Sequence, residues 1–160
     1  MEIRKFCECI NKYRDNLYIM AFAILKNETD AEDAVSNAIL KAYENMGQIR
    51  FFHKFKPWML TITKNEALKI KKKRLILPGD ETVETLLKPV LAHYDELWDV
   101  LQGMKEEYRL VVVLFYYEEL SIRDIADVLN IPIGTVKSRL NRGKRELREL
   151  LERGNGNEKI

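Results

Sequence analysis

Apolar positions three and four residues apart run through most of this 160-residue chain. That spacing places them on one side of an α-helix. It appears first in residues 3–26, at Ile3, Phe6, Ile10, Tyr13, Leu17, Met20 and Ile24. No stretch alternates in the way that predicts paired β-strands. The pattern therefore predicts an all-α protein.

A second helix is predicted over about residues 30–46. Thr29 and Glu32 have the spacing of a capping box, and Gly47 is suited to end the helix. Its apolar residues are mostly small, so we expect a neighbouring helix to approach closely. They are Ala31, Val35, Ala38, Ile39, Ala42 and Met46.

The third predicted helix begins near Pro57, a residue that suits a first helical turn, and ends in the basic run Lys71–Arg74. Phe55 and Trp58 lie at helical spacing with Ile62, so we interpret both as core residues.

Between the second and third helices lies an aromatic and basic segment, Gln48–Lys54. Exposed rings on a basic surface stack on unpaired bases, with ~1–3 kcal/mol per base, while lysines follow the phosphates. The alternative places the rings in the core. For Phe51 and His53 the sequence does not decide between the two.

The periodicity is lost over residues 75–93, where prolines, a glycine and scattered acids predict a flexible linker. We therefore expect two small helical domains, residues 1–74 and 94–153, followed by a disordered tail at 154–160. The second domain opens with an amphipathic helix and continues through the apolar run Leu110–Tyr117.

The second domain ends in a predicted helix-turn-helix. Ser121 and Asp124 suit the start of its first helix, and Asn130–Pro132 stops that helix, because a residue before proline disfavours the α region. The second helix starts near Ile133. Its apolar stripe consists of Val136, Leu140, Gly143, Leu147 and Leu150.

The opposite side of this last helix is polar and basic. Away from the stripe lie Thr135, Ser138, Asn141, Arg142 and Arg145, and one flank carries Lys137, Lys144 and Arg148. Such a helix suits insertion into a DNA major groove. The alternative is an ordinary helical hairpin with a solvated basic face.

Charge is unevenly distributed, although the net charge is only +2. Residues 50–74 hold nine Lys/Arg and one Glu, and residues 133–153 hold seven Lys/Arg and three Glu. Residues 75–107 between them hold two Lys/Arg and eight Asp/Glu. Two basic surfaces separated by an acidic stretch indicate two nucleic-acid contacts on one chain.

Other classes of function find no support in the sequence. Cys7 and Cys9 are two residues apart, which suits neither a disulfide framework nor a common zinc site, so we expect no metal. Phosphate-binding glycines and a convincing nucleophile array are both lacking, so we expect no cofactor and no enzymatic reaction. No secretory signal or membrane-spanning run is apparent, which predicts a cytoplasmic protein.

Three blocks resemble a known family: Asp30–Tyr43, Phe55–Lys73 with its F-x-x-W-L-x-x-I-x-x-N-like pattern, and Met104–Leu151. In order and spacing they are similar to the extracytoplasmic-function (group 4) sigma factors of bacterial RNA polymerase, over about residues 5–151. The chain departs from the family at Ser36–Ile39, where relatives commonly carry Gln-Glu-x-Phe.

The resemblance implies three partners. One is the clamp-helix coiled coil in the largest subunit of core RNA polymerase, docked on Asp30, Asp33, Asn37, Leu40, Lys41 and Glu44. Another is promoter DNA. The last is an anti-sigma factor, often membrane-anchored in this family, that would hold the protein inactive.

The resemblance also implies two DNA surfaces. The −10 element, with a base flipped from the duplex, would meet Arg50, Phe51, Phe52, His53, Lys54, Asn65 and Lys69, with Lys71, Lys72, Lys73 and Arg74 on phosphates. The −35 element would be read by Thr135, Lys137, Ser138, Asn141 and Arg142, with Arg139 and Lys144 on phosphates. Alternatives are a stand-alone helix-turn-helix regulator, which would need a dimer surface, and a protein-binding adaptor, which should lack the basic patches.

Overall fold

The computed structural model describes residues 1–76 and 95–157, with side chains for 1–76 and 97–154. Contacts divide the chain into two units, Met1–Leu86 and Leu87–Ile160. The division falls inside the predicted linker, which lies outside the described residues from position 77 onward. All regular secondary structure in the described residues is helical, which confirms the predicted fold class.

The N-terminal unit is a bundle of three helices, each packed against the other two. They are α1 (Ile3–Leu25), α2 (Glu28–Glu44) and α3 (Phe55–Ile76). The largest side chains withdrawn from solvent are Phe55, Leu17, Met20, Met59 and Leu60. Leu75 and Ile76, which the sequence analysis assigned to the linker, form the end of α3.

The predicted limits of α2 were wrong at both ends. Asn27, and not Thr29, caps the helix: it has an extended backbone, and its side-chain oxygen accepts from the Asp30 N–H at 2.9 Å. The helix therefore begins at Glu28. It ends at Glu44, before Gly47, and a short 3₁₀ turn follows at Met46–Gln48.

The interior side of α2 is built from methyl groups. Ala31, Ala34, Ala38 and Ala42 are all inaccessible to solvent. Side chains this small let α1 and α3 approach α2 closely, as the sequence predicted. The larger Ile39 and Met46, which we had expected to find in the core, are only half-buried.

The C-terminal unit contains α4 (Asp95–Gln102), α5 (Glu106–Val112), α6 (Ile122–Leu129) and α7 (Ile133–Asn157). A π-helical turn, Val113–Tyr117, continues α5. Helices α4, α5 and α6 all contact α7, which is the longest helix and forms the spine of the unit. The disordered tail predicted from residue 154 starts too early, since α7 continues to Asn157.

The helix-turn-helix forms as predicted. Ser121 caps α6, and its hydroxyl accepts from the Asp124 N–H at 3.1 Å. After Leu129 the backbone of Asn130 enters the left-handed region with φ 53°, which asparagine tolerates better than most residues. Helix α7 then begins at Ile133.

A glycine sets the distance between α5 and α7. A Cβ atom placed on Gly143 would lie 2.8 Å from Cγ2 of Val112 and 3.4 Å from the Tyr108 carbonyl oxygen. Only glycine therefore allows this separation. The close contact brings the first turns of α5 against the middle of α7, where the predicted DNA-reading residues lie.

Candidate nucleic-acid and polymerase interfaces

The segment between α2 and α3 presents its aromatic rings to solvent. Phe51 is 63 % exposed and Phe52 is 60 % exposed, and their neighbours Arg50, His53 and Lys54 are also exposed. The sequence did not decide whether Phe51 and His53 are exposed or lie in the core. In the structure both are exposed, and their ring centroids lie 5.8 Å apart.

Phe55 anchors the end of this segment in the core. It is fully buried, and its ring lies 5.9 Å from the ring of Phe6 on α1. Trp58 is only half-buried, so the core assignment was right for Phe55 and incomplete for Trp58. A short 3₁₀ turn, Phe52–Lys54, joins the exposed rings to this buried anchor.

An open cavity of about 480 Å³ lies beside Phe52. Ile49 and Arg50 form one wall, and the opposite wall comes from the start of α1, through Met1, Glu2 and Lys5. The sequence analysis did not assign these N-terminal residues to the site. No local signal could have done so, because the contact joins positions about 45 residues apart in the chain.

The outer face of α3 carries a continuous row of candidate DNA contacts. Trp58 and Ile62 are half-buried, and Asn65, Lys69 and Lys72 are exposed. At 100° per residue these five positions share one side of the helix. The row is therefore aromatic and apolar at Trp58 and Ile62, near the exposed rings, and cationic at Lys69 and Lys72, toward the other end of the helix.

Lys69 and Arg74, both predicted to contact the −10 element, pair with carboxylates of their own unit. Lys69 lies 3.5 Å from Glu66 Oε1, and Arg74 forms an ion pair with Asp30. Glu66 also accepts from Lys41 on α2 at 3.1 Å. The sequence analysis missed Glu66, although a signal existed: it is the single acid among nine cations in residues 50–74.

The outward face of α2 agrees with most of the predicted polymerase surface. Asp33, Asn37, Lys41 and Glu44 are exposed, and Leu40 is 61 % exposed. Asp30 differs from them, because it is only 7 % exposed and faces Arg74. Tyr43, which the sequence analysis did not assign, is exposed on this helix and its ring meets Phe6 edge to face at 6.0 Å.

On α7 the predicted reading face points to solvent. Lys137, Ser138, Asn141, Arg142 and Lys144 are exposed, while Thr135 and Arg139 are half-buried. The Ser138 hydroxyl donates to the Thr135 carbonyl at 3.1 Å, so one of its hydrogen-bonding groups is already used.

The cations on α7 are supported by α5 and by the π-helical turn. Arg142 Nη1 donates to the Tyr108 hydroxyl at 3.5 Å, and this hydrogen bond raises the pKa of the guanidinium above its usual value. Arg139 lies 3.8 Å from Glu107. The Lys144 ammonium lies within 6 Å of the Phe115 and Tyr116 rings, at the distance of a cation–π contact.

Two further cations are buried. Burial lowers the pKa of Lys64 on α3 and of Arg109 on α5. Arg109 Nη1 donates to the Met104 carbonyl at 3.0 Å, which ties α5 to the turn after α4. Both side chains belong to the interior of their units and not to a DNA surface.

The described residues offer neither a metal site nor a membrane-spanning helix. In residues 1–76 and 97–154 no group of three or more His, Cys, Asp or Glu side chains could hold a metal ion. None of the described helices is long and apolar enough to cross a membrane. Both cysteines are free thiols, and burial raises the pKa of Cys9.

These features define a helical protein with two units, one presenting exposed rings and lysines and the other a cationic helix-turn-helix. Comparison with known families gives the same division: sigma-70 region 2 matches residues 9–74 and sigma-70 region 4 matches residues 94–147. The chain belongs to the sigma-70 family, among the extracytoplasmic-function sigma factors, and therefore serves promoter recognition by RNA polymerase.

Relatives in Bacillus subtilis (strain 168) are similar along most of their length. RNA polymerase sigma factor SigV is 31 % identical over 144 residues, which cover 88 % of this chain and 87 % of SigV. ECF RNA polymerase sigma factor SigW is 29 % identical over 171 residues, which cover 91 % of this chain and 88 % of SigW.

Solved structures show the same fold. The sigma factor RpoE from Bartonella quintana, in complex with the anti-sigma factor NepR, has a TM-score of 0.80 at 24 % identity over 94 % of this chain and 98 % of that one. CnrH, in complex with the cytosolic domain of CnrY, has a TM-score of 0.71 at 19 % identity over 94 % of this chain and 90 % of that one.

Proposed function

We propose that this sigma factor docks on core RNA polymerase through α2, opens the −10 element with the ring segment and α3, and reads the −35 element with α7. The observation that carries the proposal is the pair of exposed rings, Phe51 and Phe52, on a cationic surface beside an open cavity. A soluble protein gains nothing in stability from holding two adjacent phenylalanines in water, so a ligand with apolar faces is the natural occupant.

The energetics favour strand opening at this place. Extruding a base costs a few kcal/mol of stacking and pairing. Stacking on an aromatic ring returns ~1–3 kcal/mol per base. Two rings and a cavity can therefore offset much of the cost, and exposed cations such as Lys72 and Lys73 on α3 retain the separated strand through its phosphates.

The −35 element is assigned to α7 because its exposed side chains combine donors and acceptors suited to base edges. Arg142 and Asn141 are the residue types that pair with guanine and adenine in the major groove. Arg139 and Lys144 lie on the two flanks of this face, and we assign them to phosphates.

The polymerase surface is assigned to α2, with Asp33, Asn37, Leu40, Lys41 and Glu44 as its contacts. An exposed leucine beside mixed charges is typical of a protein interface with an apolar centre and a polar rim. Tyr43 extends this surface. Asp30 is better explained by its ion pair with Arg74 than by direct contact with polymerase.

We further propose an anti-sigma factor as a third partner, since the sigma factor RpoE, which has the same fold, has been solved in complex with the anti-sigma factor NepR. CnrH, also of this fold, has been solved with the cytosolic domain of CnrY. Because it acts in transcription, the protein would work in the cytoplasm. An anti-sigma factor anchored in the membrane would hold it at the membrane surface. The protein itself would carry out no chemical step.

Run-off transcription tests the proposal. Purified protein is mixed with core RNA polymerase and promoter fragments from its own genome, and transcripts are measured with and without it. We expect promoter-dependent transcripts of defined length. Absence of core association and of stimulation on every fragment would reject the assignment in favour of a stand-alone regulator or an adaptor.

A further inference from the structure

Glu66 is a nearly buried carboxylate placed between two lysines. It lies on α3 with 6 % of its surface exposed. Its Oε1 atom is 3.1 Å from the Lys41 ammonium on α2 and 3.5 Å from the Lys69 ammonium one turn further along α3. A single oxygen therefore joins the proposed polymerase surface to the proposed −10 surface.

The pairing changes what Lys69 can do. A buried carboxylate needs cationic partners, so the Lys69 ammonium is held near Glu66, although 65 % of the Lys69 side chain is exposed. An ammonium has three donors, and Glu66 occupies one of them. Glu66 carries one negative charge for two ammoniums, so the charge of Lys69 is partly compensated inside the protein. We expect Lys69 to release fewer counterions on DNA binding than an uncompensated lysine, which releases about one per phosphate.

Lys72 provides the contrast. It lies on the same side of α3 and is exposed, and no carboxylate among the described residues pairs with it. The two lysines therefore differ in one respect: one ammonium is fixed by a carboxylate and the other is mobile. A fixed donor suits a base edge, and a mobile charge suits a phosphate.

We infer that Lys69 donates a hydrogen bond to a base edge of the opened −10 element, and that Glu66 is the positioning residue that holds it there. The inference rests on the proposed −10 surface. The base would present an acceptor toward α3, such as guanine O6 or N7 or thymine O4. Glu66 thus contributes to promoter discrimination without touching DNA.

Two matched variants test this, Lys69→Met and Lys72→Met, in holoenzyme assembled from core polymerase and the full chain. The DNA is a promoter fragment with an unpaired −10 region, and a second fragment carries a substituted −10 sequence. Two quantities are measured: the slope of log affinity against log salt concentration, and the ratio of the affinities for the two fragments.

For Lys72→Met we expect the slope to become shallower by about 0.7–0.9, the loss of one phosphate contact, with the ratio unchanged. For Lys69→Met we expect a slope change of at most about half that of Lys72→Met, and a ratio that falls about fivefold to tenfold. A slope change for Lys69→Met as large as that for Lys72→Met would overturn the inference and leave the −10 surface standing. If neither variant changes slope or ratio, the −10 surface itself is rejected, and the inference with it.

Glu66→Gln tests the positioning role directly. Releasing Lys69 should steepen the slope by up to about 0.7 and lower the affinity ratio. Both effects should vanish when Glu66→Gln/Lys69→Met is compared with Lys69→Met. Glu8→Gln is the control, because Glu8 forms an exposed pair with Arg4 on α1 and its loss changes the net charge equally. The positioning role would be overturned if Glu8→Gln steepened the slope equally, or if Glu66→Gln still steepened it in the Lys69→Met background. A slope that Glu66→Gln leaves unchanged would overturn it as well. Should Glu66→Gln fail to fold, the two lysine variants still decide, because only compensation by Glu66 makes the slope change of Lys69→Met smaller than that of Lys72→Met.

Discussion

Asp30, in the first turn of α2, forms an ion pair with Arg74, near the end of α3. Both residues were expected to contact other molecules, one polymerase and the other phosphate. Asp30 is almost buried, whereas half of the Arg74 side chain is exposed. The pair therefore joins the two helices that carry the two proposed interfaces.

Asp30→Ala should destabilise the N-terminal unit by about 1–3 kcal/mol, because it removes the ion pair and an acid at the positive end of a helix dipole. The loss stays at this level since Arg74 can turn to solvent. Urea unfolding followed by circular dichroism measures it. Asp33→Ala, at an exposed position on the same helix, should change stability by less than about 0.5 kcal/mol. Equal stability of the two variants would contradict a structural role for the pair.

For the affinity for core polymerase we expect the reverse order: Asp33→Ala should have the larger effect and Asp30→Ala the smaller. Asp33→Ala removes an exposed contact of α2 and should weaken core association, by about 1–2 kcal/mol if the contact lies inside the interface. Asp30→Ala, measured where the protein is still folded, should weaken it less. Titration of labelled protein with core polymerase gives both affinities, and undiminished binding by Asp33→Ala would count against the α2 surface.

Replacing both rings, Phe51→Ala with Phe52→Ala, should impair strand opening. Each ring is expected to contribute ~1–3 kcal/mol of stacking, so the population of open complexes should fall at least about tenfold. The fold should be unchanged, since both residues are more than half exposed. Permanganate reactivity of −10 thymines reports opening. Leu75→Ala removes an exposed apolar side chain outside the segment and should leave opening intact. Normal opening by the double variant would refute the stacking role.

Arg142→Ala should relax recognition of the −35 element. A bidentate contact to a guanine carries about 1–3 kcal/mol of discrimination, and that preference should be lost while core association is retained. Tyr108→Phe should have a smaller effect in the same direction, because the hydroxyl only orients the guanidinium. Competition between promoter fragments with intact and substituted −35 sequences measures both. Unchanged preference would mean that another face of α7 reads DNA.

Gly143→Ala should destabilise the C-terminal unit. Alanine favours a helix by about 1 kcal/mol over glycine, but overpacking costs about 1–3 kcal/mol, and the new Cβ would overlap the stiff side chain of Val112. Adding Val112→Ala should relieve part of the clash and recover part of the lost stability. Gly134→Ala meets no atom within 4 Å and should be neutral or slightly stabilising. The three melting temperatures test the argument, which fails if Gly143→Ala also raises stability.

Helices and their local caps follow from neighbouring residues, and so does most of the fold. Ser121 was predicted correctly because nothing nearby competes for the cap. For α2 the cap was misplaced by two residues, since Asn27 and Thr29 are both good capping residues and only the backbone conformation selects between them. The outward face of α7 followed from the 3.6-residue period, whereas the proposed contacts Asn65 and Lys69 on α3 followed from the family resemblance.

Interactions between distant segments could not be predicted in the same way. Asp30 and Arg74 are 44 residues apart, and Tyr108 and Arg142 are separated by 34. Each pairing depends on the axial offset between two helices and on the rotation of each helix about its axis. The hydrophobic period of the sequence does not fix these two quantities. Consequently the sequence identified Asp30, Arg74 and Arg142 as candidates for external contacts, whereas three-dimensional packing showed that each also has a partner within its own unit.

The alanine row of α2 constrains how such a protein can diverge. Four methyl groups fill the space toward α1 and α3, so rotating the helix by even one position would force a longer polar side chain such as Asp33 or Asn37 into it. The orientation of α2 therefore does not depend on what its solvent side carries. New partners can be accommodated by substitutions on that side alone, while the packing that fixes the orientation of the helix stays the same.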